Sequence, residues 1–428
     1  MRPGQLASKD IIMKRPHLKL SVMMFIEWFI WGAWFVPLWQ YLNKLGFTPG
    51  EIAWSYSSTA IAAILSPVLV GVIADRYFAA QKVLGWLHLA GGILMFIIAW
   101  QTEFSRFFPL LVVYAITYMP TVALTNSIAF ANIGDAEKEF PRIRVLGTLG
   151  WIASGLVIGF LLPPLLGMGN ISDTNQPLII TGIAAICLGL YSFLLPNTPA
   201  RGTGPVDVKA LLGLNALGLL KDRSFATFAL CSFLFCMPLA FYYQFANGYL
   251  TQVGLPDATG WMTLGQVSEI FAMLALPLLL KRYGIKKVLM LGFVTAAIRY
   301  LFFIYGGTAD VWAYSMLFLG ILLHGVSYDF YFVTGYIYVD KKAPAHMRTA
   351  AQGLITLICQ GLGSFIGNWL GGQAMTTFAL QQPRDGMTFD WFAVWGVGAA
   401  MVVAVMLLFL LFFRERNHSI TPINVTQP

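Results

Sequence analysis

From the N-terminus onward the chain alternates between long apolar runs and short polar or Gly/Pro breaks. The runs fall at about 19–42, 50–74, 82–101, 106–132, 142–167 and 177–196, then at 224–252, 258–281, 286–306, 310–338, 345–377 and 388–413. Each meets the roughly 20 residues a helix needs to cross a bilayer. Met401–Phe413 is apolar at every position, whereas the strands of a membrane β-barrel alternate apolar and polar residues. The pattern predicts an all-α membrane protein of twelve spanning helices.

Composition agrees and leaves little else. Of 428 residues, 58% are hydrophobic and 11% charged, against about 45–50% and about 25% in soluble domains. Twelve spans use up most of the chain, which excludes a disordered protein and a sizeable soluble domain. The four cysteines (Cys187, Cys231, Cys236, Cys359) fall inside apolar runs with no paired spacing, so they read as small core residues and not as disulfides or metal ligands. Met1–Ile12 lacks the apolar core and cleavage site of a signal peptide and reads as an extension ahead of Met13.

The net charge of +8 invites an acidic partner such as nucleic acid, but its distribution does not. Of the 27 Lys and Arg, all but Lys44, Arg106, Arg299 and Arg384 lie in the termini, the central segment and the loops on one side of the predicted bundle. Basic residues mark the cytoplasmic side of a membrane protein, so both termini are expected there, in a bacterial inner membrane, and no nucleic-acid partner is expected.

The expected organisation is a cytoplasmic segment (1–18), a six-helix bundle (19–196), a cytoplasmic linker (197–223), a second six-helix bundle (224–413) and a tail (414–428). Each half carries a similar loop after its second span, Gly71–Lys82 and Lys281–Lys287. Repeated bundles around a central cavity are a transporter architecture. The first loop resembles the GxxxD(R/K)xGRR signature of the major facilitator superfamily, without its final Gly-Arg-Arg. Asp75 and Arg76 in it read as a conformational gate or loop brace.

A charge at the centre of a spanning helix costs about 2.5–3.5 kcal/mol on insertion scales, so the few buried polar residues are the candidate chemistry. Arg144, Thr148 and Trp151 share a helical face in the fifth span, as do Gln266 and Glu269 in the eighth and His324 and Tyr328 in the tenth. Together they offer a planar donor fork, a hydroxyl, a carboxylate and aromatic plates. Asp329 follows Tyr328 by one residue and leaves that stripe, which suits a proton carrier better than a ligand contact; a buried pair with Arg299 or Arg348 is its structural alternative. Glu269 and Glu27 are further proton-carrier candidates. Glu27 repeats the i, i+4, i+7 spacing with Trp31 and Trp34, which fits an interhelical bond equally well. No GxSxG, HExxH, paired CxxC or P-loop is present. His324 with Asp329 and Glu269 has no Ser or Cys nucleophile tied to it, so neither an enzyme nor a cofactor or metal is expected.

At these residues the chain resembles the nucleoside:proton symporter family. The resemblance is carried by Trp31-Gly-Ala-Trp34, Gly71-Val-Ile-Ala-Asp75, Tyr118-Met-Pro-Thr121, Phe140-Pro-Arg-Ile-Arg144 with Gly147-Thr148, Gln266-Val-Ser-Glu269, Arg282-Tyr-Gly-Ile-Lys286 and Arg348–Gly353. It implies that Arg144, Thr148, Gln266 and Glu269 line a nucleoside pocket, that Trp151 and Tyr328 flank the ligand, and that Asp329 serves proton coupling. Where the family pattern has two amides on the seventh span, this chain has Ala240 and Tyr243, with Gln244 and Asn247 as replacements under a different register; where it has Tyr on the tenth, this chain has His324. Those departures open a sugar or glycoside as the alternative substrate. The expected protein is a proton-coupled nucleoside importer working by alternating access as a monomer.

Overall fold

In lipid a backbone must satisfy its own N–H and C=O groups, and a helix does so within one segment. A computed structural model shows the apolar runs solving the problem in this way; its described residues are 3–73, 77–200, 209, 212–307, 312–344, 347–380 and 387–414. The first six spans are Pro16–Lys44 (interrupted at Pro37), Pro49–Ile73, Ala80–Ile98, Phe104–Ala131, Lys138–Leu165 and the shorter Gln176–Ser192. The seventh is Arg223–Gln252, and the tenth to twelfth are Ala313–Lys342, Arg348–Thr377 and Trp391–Phe412. Between them Ala258–Gly306 runs on as one hydrogen-bonded element, yet it contains two spans. Gly284, at φ 76° and ψ 170°, breaks it in the gap predicted between the eighth and ninth. That backbone conformation strains any residue with a Cβ, so glycine lets the chain turn there.

The first span crosses the fifth closely enough that a Cβ on Gly150 would stand 2.0 Å from the Phe25 carbonyl oxygen. Between the halves, the second span packs on the eleventh and the fifth on the eighth. A shift of six spans exchanges those two pairs, so the repeat in the sequence is also a repeat of packing. The outer faces are apolar: Leu274 and Leu278, one turn apart on the eighth span, are 75% and 68% exposed and would meet lipid. Three cysteines are buried as expected, but Cys187 lies exposed on the sixth span and is not a core residue.

The two faces of the bundle differ. On the face away from the termini, Gln40 donates to Asn247 Oδ1 and to Thr251 Oγ1 (2.8 Å), and Asn170 donates to Gln40 Oε1 (3.0 Å). Asn247 donates to Thr259 (2.9 Å), whose hydroxyl also meets Ser172 Oγ (2.8 Å). Trp39 packs on Phe389 and Trp391, and Phe160 on Trp261. Gln40 with Asn247 and Thr251, Ser172 with Thr259 and the aromatic pairs join the two halves through neutral groups. On the terminal face, among the described residues, Ser224 Oγ donates to the Arg414 carbonyl (2.7 Å) and Lys286 to that of Phe413 (2.8 Å), both within the second half. Asp222 caps the seventh span by accepting from Phe225 N–H (2.9 Å) and pairs with Lys342 (2.9 Å). Burial pushes its carboxyl up, but these partners outweigh it and hold the group below its ordinary value. The halves are thus sealed together on the face away from the termini.

Candidate functional site

Behind that seal lies a narrow cavity, lined among others by Phe35, Trp151, Tyr242, Tyr243, Thr263 and Gln266. Arg144 precedes Trp151 by two helical turns, about 10 Å along the fifth span, and Glu269 follows Gln266 by one turn on the eighth, so both extend the site toward the terminal face.

Arg144 is held over the face of Trp28, its Cζ 4.1 Å from the ring centroid. Such a contact orients a guanidinium while leaving its N–H groups free to donate. Gly147 leaves room for it, since a Cβ there would stand 2.6 Å from Trp28 and 2.8 Å from Arg144 Nη1. Arg144 and Glu269 lie within electrostatic reach across the fifth and eighth spans. Glu269 is 19% exposed, with Oε1 3.6 Å from His324 Nε2. That is too long for a hydrogen bond, and His324 Nε2 has no partner among the described residues. His324 stacks on Tyr242 (centroids 4.4 Å, interplanar 19°), meets Tyr243 edge-on (5.5 Å) and lies 6.0 Å from Tyr328. Thr148 is half-buried on the Arg144 face. The structure therefore brings Arg144, Trp151, Tyr243, Gln266, Glu269, His324 and Tyr328 into one continuous region.

The three candidate acids have different surroundings. Glu27 is clamped: Thr121 Oγ1 donates to Oε1 (2.6 Å), His88 Nε2 sits 2.8 Å from Oε2, and Tyr118 donates to the Glu27 carbonyl (2.6 Å). Trp31 meets Tyr118 and Trp34 meets Tyr114, so the Glu27–Trp31–Trp34 stripe faces the fourth span. Asp329 is buried at the start of a π-helical turn, Asp329–Val333, and its Oδ2 has no partner among the described residues. Neither arginine expected as its partner takes that place: Arg299 contacts His324 and Ser327, and Arg348 lies 3.7 Å from Asp340. Asp75 and Arg76 lie outside the described residues.

On the seventh span Ala240 faces Gly367 of the eleventh, where a Cβ would stand 2.8 Å from it. Asn247 belongs to the seal, and Gln244 is fully buried with neither amide atom bonded. Neither amide replaces those missing from the pocket; Tyr242 and Tyr243 present aromatic surface instead. Sequence reasoning missed Trp28 and Tyr242 as parts of the site; Arg299 stood out only as a buried charge, without His324 as its partner. Trp28 carried a signal, because Trp28, Trp31 and Phe35 share a helical face at i, i+3, i+7.

Comparison with known proteins agrees with this geometry. The chain is 65% identical over 408 residues to the putative nucleoside transporter YegT of Escherichia coli K12, covering 95% of this chain and 96% of that protein. It is 31% identical to the xanthosine permease of the same organism, covering 94% and 96%. The crystal structure of the nucleoside transporter NupG superposes with a TM-score of 0.82 at 28% identity, covering 94% of this chain and 99% of that one. The model of the family described as nucleoside H+ symporter matches residues 13–418. With that match spanning nearly the whole chain and the repeated six-helix bundles of the major facilitator fold beneath it, this protein belongs to the nucleoside H+ symporter family.

Proposed function

We propose that the chain imports nucleosides together with protons across a bacterial inner membrane, with its termini in the cytoplasm and one chain as the working unit. Lys82, Lys138, Arg142, Lys281, Lys287 and Lys341 all lie toward the terminal face, in keeping with the positive-inside rule. The sealed face is then periplasmic, and this conformation faces inward. The observation that carries the reading is the cavity walled by Trp151, Tyr243 and Gln266, with the Arg144 fork and the Glu269 carboxylate within electrostatic reach of each other on its terminal side. A nucleobase has a face to stack on the aromatic rings and an edge that accepts from Arg144 and Gln266. Ribose hydroxyls donate to Glu269. Thr148 and His324 complete the polar wall, Asp329 carries the proton, and Asp75 and Arg76 act at the cytoplasmic gate.

The deciding experiment is uptake of labelled uridine, adenosine and xanthosine into proteoliposomes, with and without an inward proton gradient and with xylose or a glycoside as competitor. The expected result is gradient-driven nucleoside accumulation. Sugar uptake without nucleoside flux would overturn the substrate class and make Ala240 and Tyr243 the residues that redefine it.

Alternating access requires the neutral seal to break. Asn247→Ala removes the bond to Gln40 that crosses between the halves, worth about 1 kcal/mol net. The outward-open population should rise about fivefold relative to the inward one, read as spin-label distances between the periplasmic ends of the first and seventh spans. An unchanged distance distribution would mean that the aromatic contacts alone hold the seal.

A further inference from the structure

Behind the ligand-facing wall, Arg299 is fully buried on the ninth span. Its Nη1 lies 2.9 Å from His324 Nδ1 and 3.3 Å from Ser327 Oγ, and its Cζ sits 4.3 Å from the Tyr242 ring centroid. A guanidinium has donors only, and it does not deprotonate in proteins. His324 Nδ1 must therefore accept from Arg299, which leaves the ring proton on Nε2. A second proton on Nδ1 would break that bond and place a cation against a fixed cation. Tyr242 stacks on the imidazole and also lies under the guanidinium, so the ring is held in orientation as well as in tautomer. The Nε2–H has no partner among the described residues and lies 3.6 Å from Glu269 Oε1, buried beneath Tyr243, whose ring lines the cavity.

We propose that Arg299 is a positioning residue that locks His324 as the neutral Nε2–H tautomer, making His324 a permanent hydrogen-bond donor for an acceptor atom of the transported nucleoside beside Glu269. This rests on the nucleoside reading of the cavity for its ligand, whereas the lock itself does not. It separates two roles that a histidine beside two carboxylates could otherwise mix. His324 shapes specificity, and the proton travels by a carboxyl. An aromatic hydroxyl at this position could rotate to donate or accept. The locked imidazole only donates, so it favours ligands presenting a carbonyl or ring-nitrogen acceptor there.

The charged and titratable groups around His324 are Tyr242 and Tyr243 on the seventh span, Glu269 on the eighth, Arg299 and Tyr300 on the ninth, and Tyr328 and Asp329 on the tenth, with Arg144 beyond Glu269. The lock predicts that His324 does not titrate despite them. Nitrogen-15 NMR of histidine-labelled protein tests this directly. Five histidines are present, and a His324 variant assigns the signal. The expected spectrum shows unprotonated Nδ1 and protonated Nε2, unchanged from about pH 5 to 8, across the unperturbed histidine pKa. A titrating signal, or a proton on Nδ1, overturns the lock.

Two variants test the donor. His324→Asn places an acceptor near Nδ1 and removes the donor; His324→Gln places a donor near Nε2 and removes the acceptor. H324N should keep the native melting temperature while nucleoside Kd rises about tenfold, the effect of one hydrogen bond to a ligand. H324Q should keep affinity closer to native and melt lower, because it leaves Arg299 without an acceptor. Unchanged affinity in H324N overturns the donor role. If native protein binds no nucleoside at all, the functional reading fails, and the NMR result still judges the lock.

Discussion

Asp329→Asn should abolish proton-driven accumulation while leaving nucleoside exchange intact, so that the internal concentration rises only to the external one. A symporter needs a group that binds a proton in one state and gives it up in another, and a buried charge is tolerated in a membrane where function requires it. Glu27 fits poorly, because Thr121 and His88 hold both of its oxygens in a network that joins three helices of the first half. Asp329 is held differently: among the described residues Oδ2 has no hydrogen-bond partner, and Arg299 and Arg348 contact other groups. The π-helical turn that begins at Asp329 marks a place where the tenth span departs from regular geometry, as spanning helices often do at working sites. Asn keeps the shape and removes the titration. Counterflow of labelled nucleoside should match the native protein, and uptake should lose its dependence on an inward proton gradient. Full uphill uptake by D329N would move the coupling role to Glu269.

The fold was legible because lipid imposes one solution on an apolar run. All twelve runs became helices, and the polar gap at 281–286 contains Gly284, the one residue that breaks Ala258–Gly306. The site was legible one helix at a time. Spacing placed Gln266 with Glu269, and His324 with Tyr328, because helical periodicity fixes which residues share a face. It could not say which faces meet. A pair with Arg299 or Arg348 therefore stayed open as the structural alternative for Asp329, whereas the crossing of the ninth and tenth spans gives Arg299 His324. The Glu27 stripe left two readings open for the same reason: its spacing matches that of the Arg144 face, and its bonds onto the fourth span are the interhelical alternative. The periodic signal cannot tell a cavity wall from a packing seam.

Glu269→Gln should weaken nucleoside binding and spare coupling in proportion to the ligand still bound. Glu269 is the half-buried acid that lies on the ligand face, one turn from cavity-lining Gln266 and across from Arg144. A hydrogen bond to an ionised group contributes about 1.5–3 kcal/mol, so converting the carboxylate to an amide should raise Kd roughly 10- to 100-fold. Gln fills the same volume, keeps one acceptor and disturbs no ion pair at hydrogen-bond distance, since His324 stands 3.6 Å away. Calorimetry or scintillation-proximity binding measures the change without transport. Uptake by E269Q at saturating nucleoside should remain gradient-dependent, which D329N cannot show. The contrary pattern, native affinity with accumulation lost, would make Glu269 the proton carrier and Asp329 a structural residue. One carboxyl would then serve both as ligand contact and as proton site, and substrate and proton would compete for it instead of travelling on neighbouring groups.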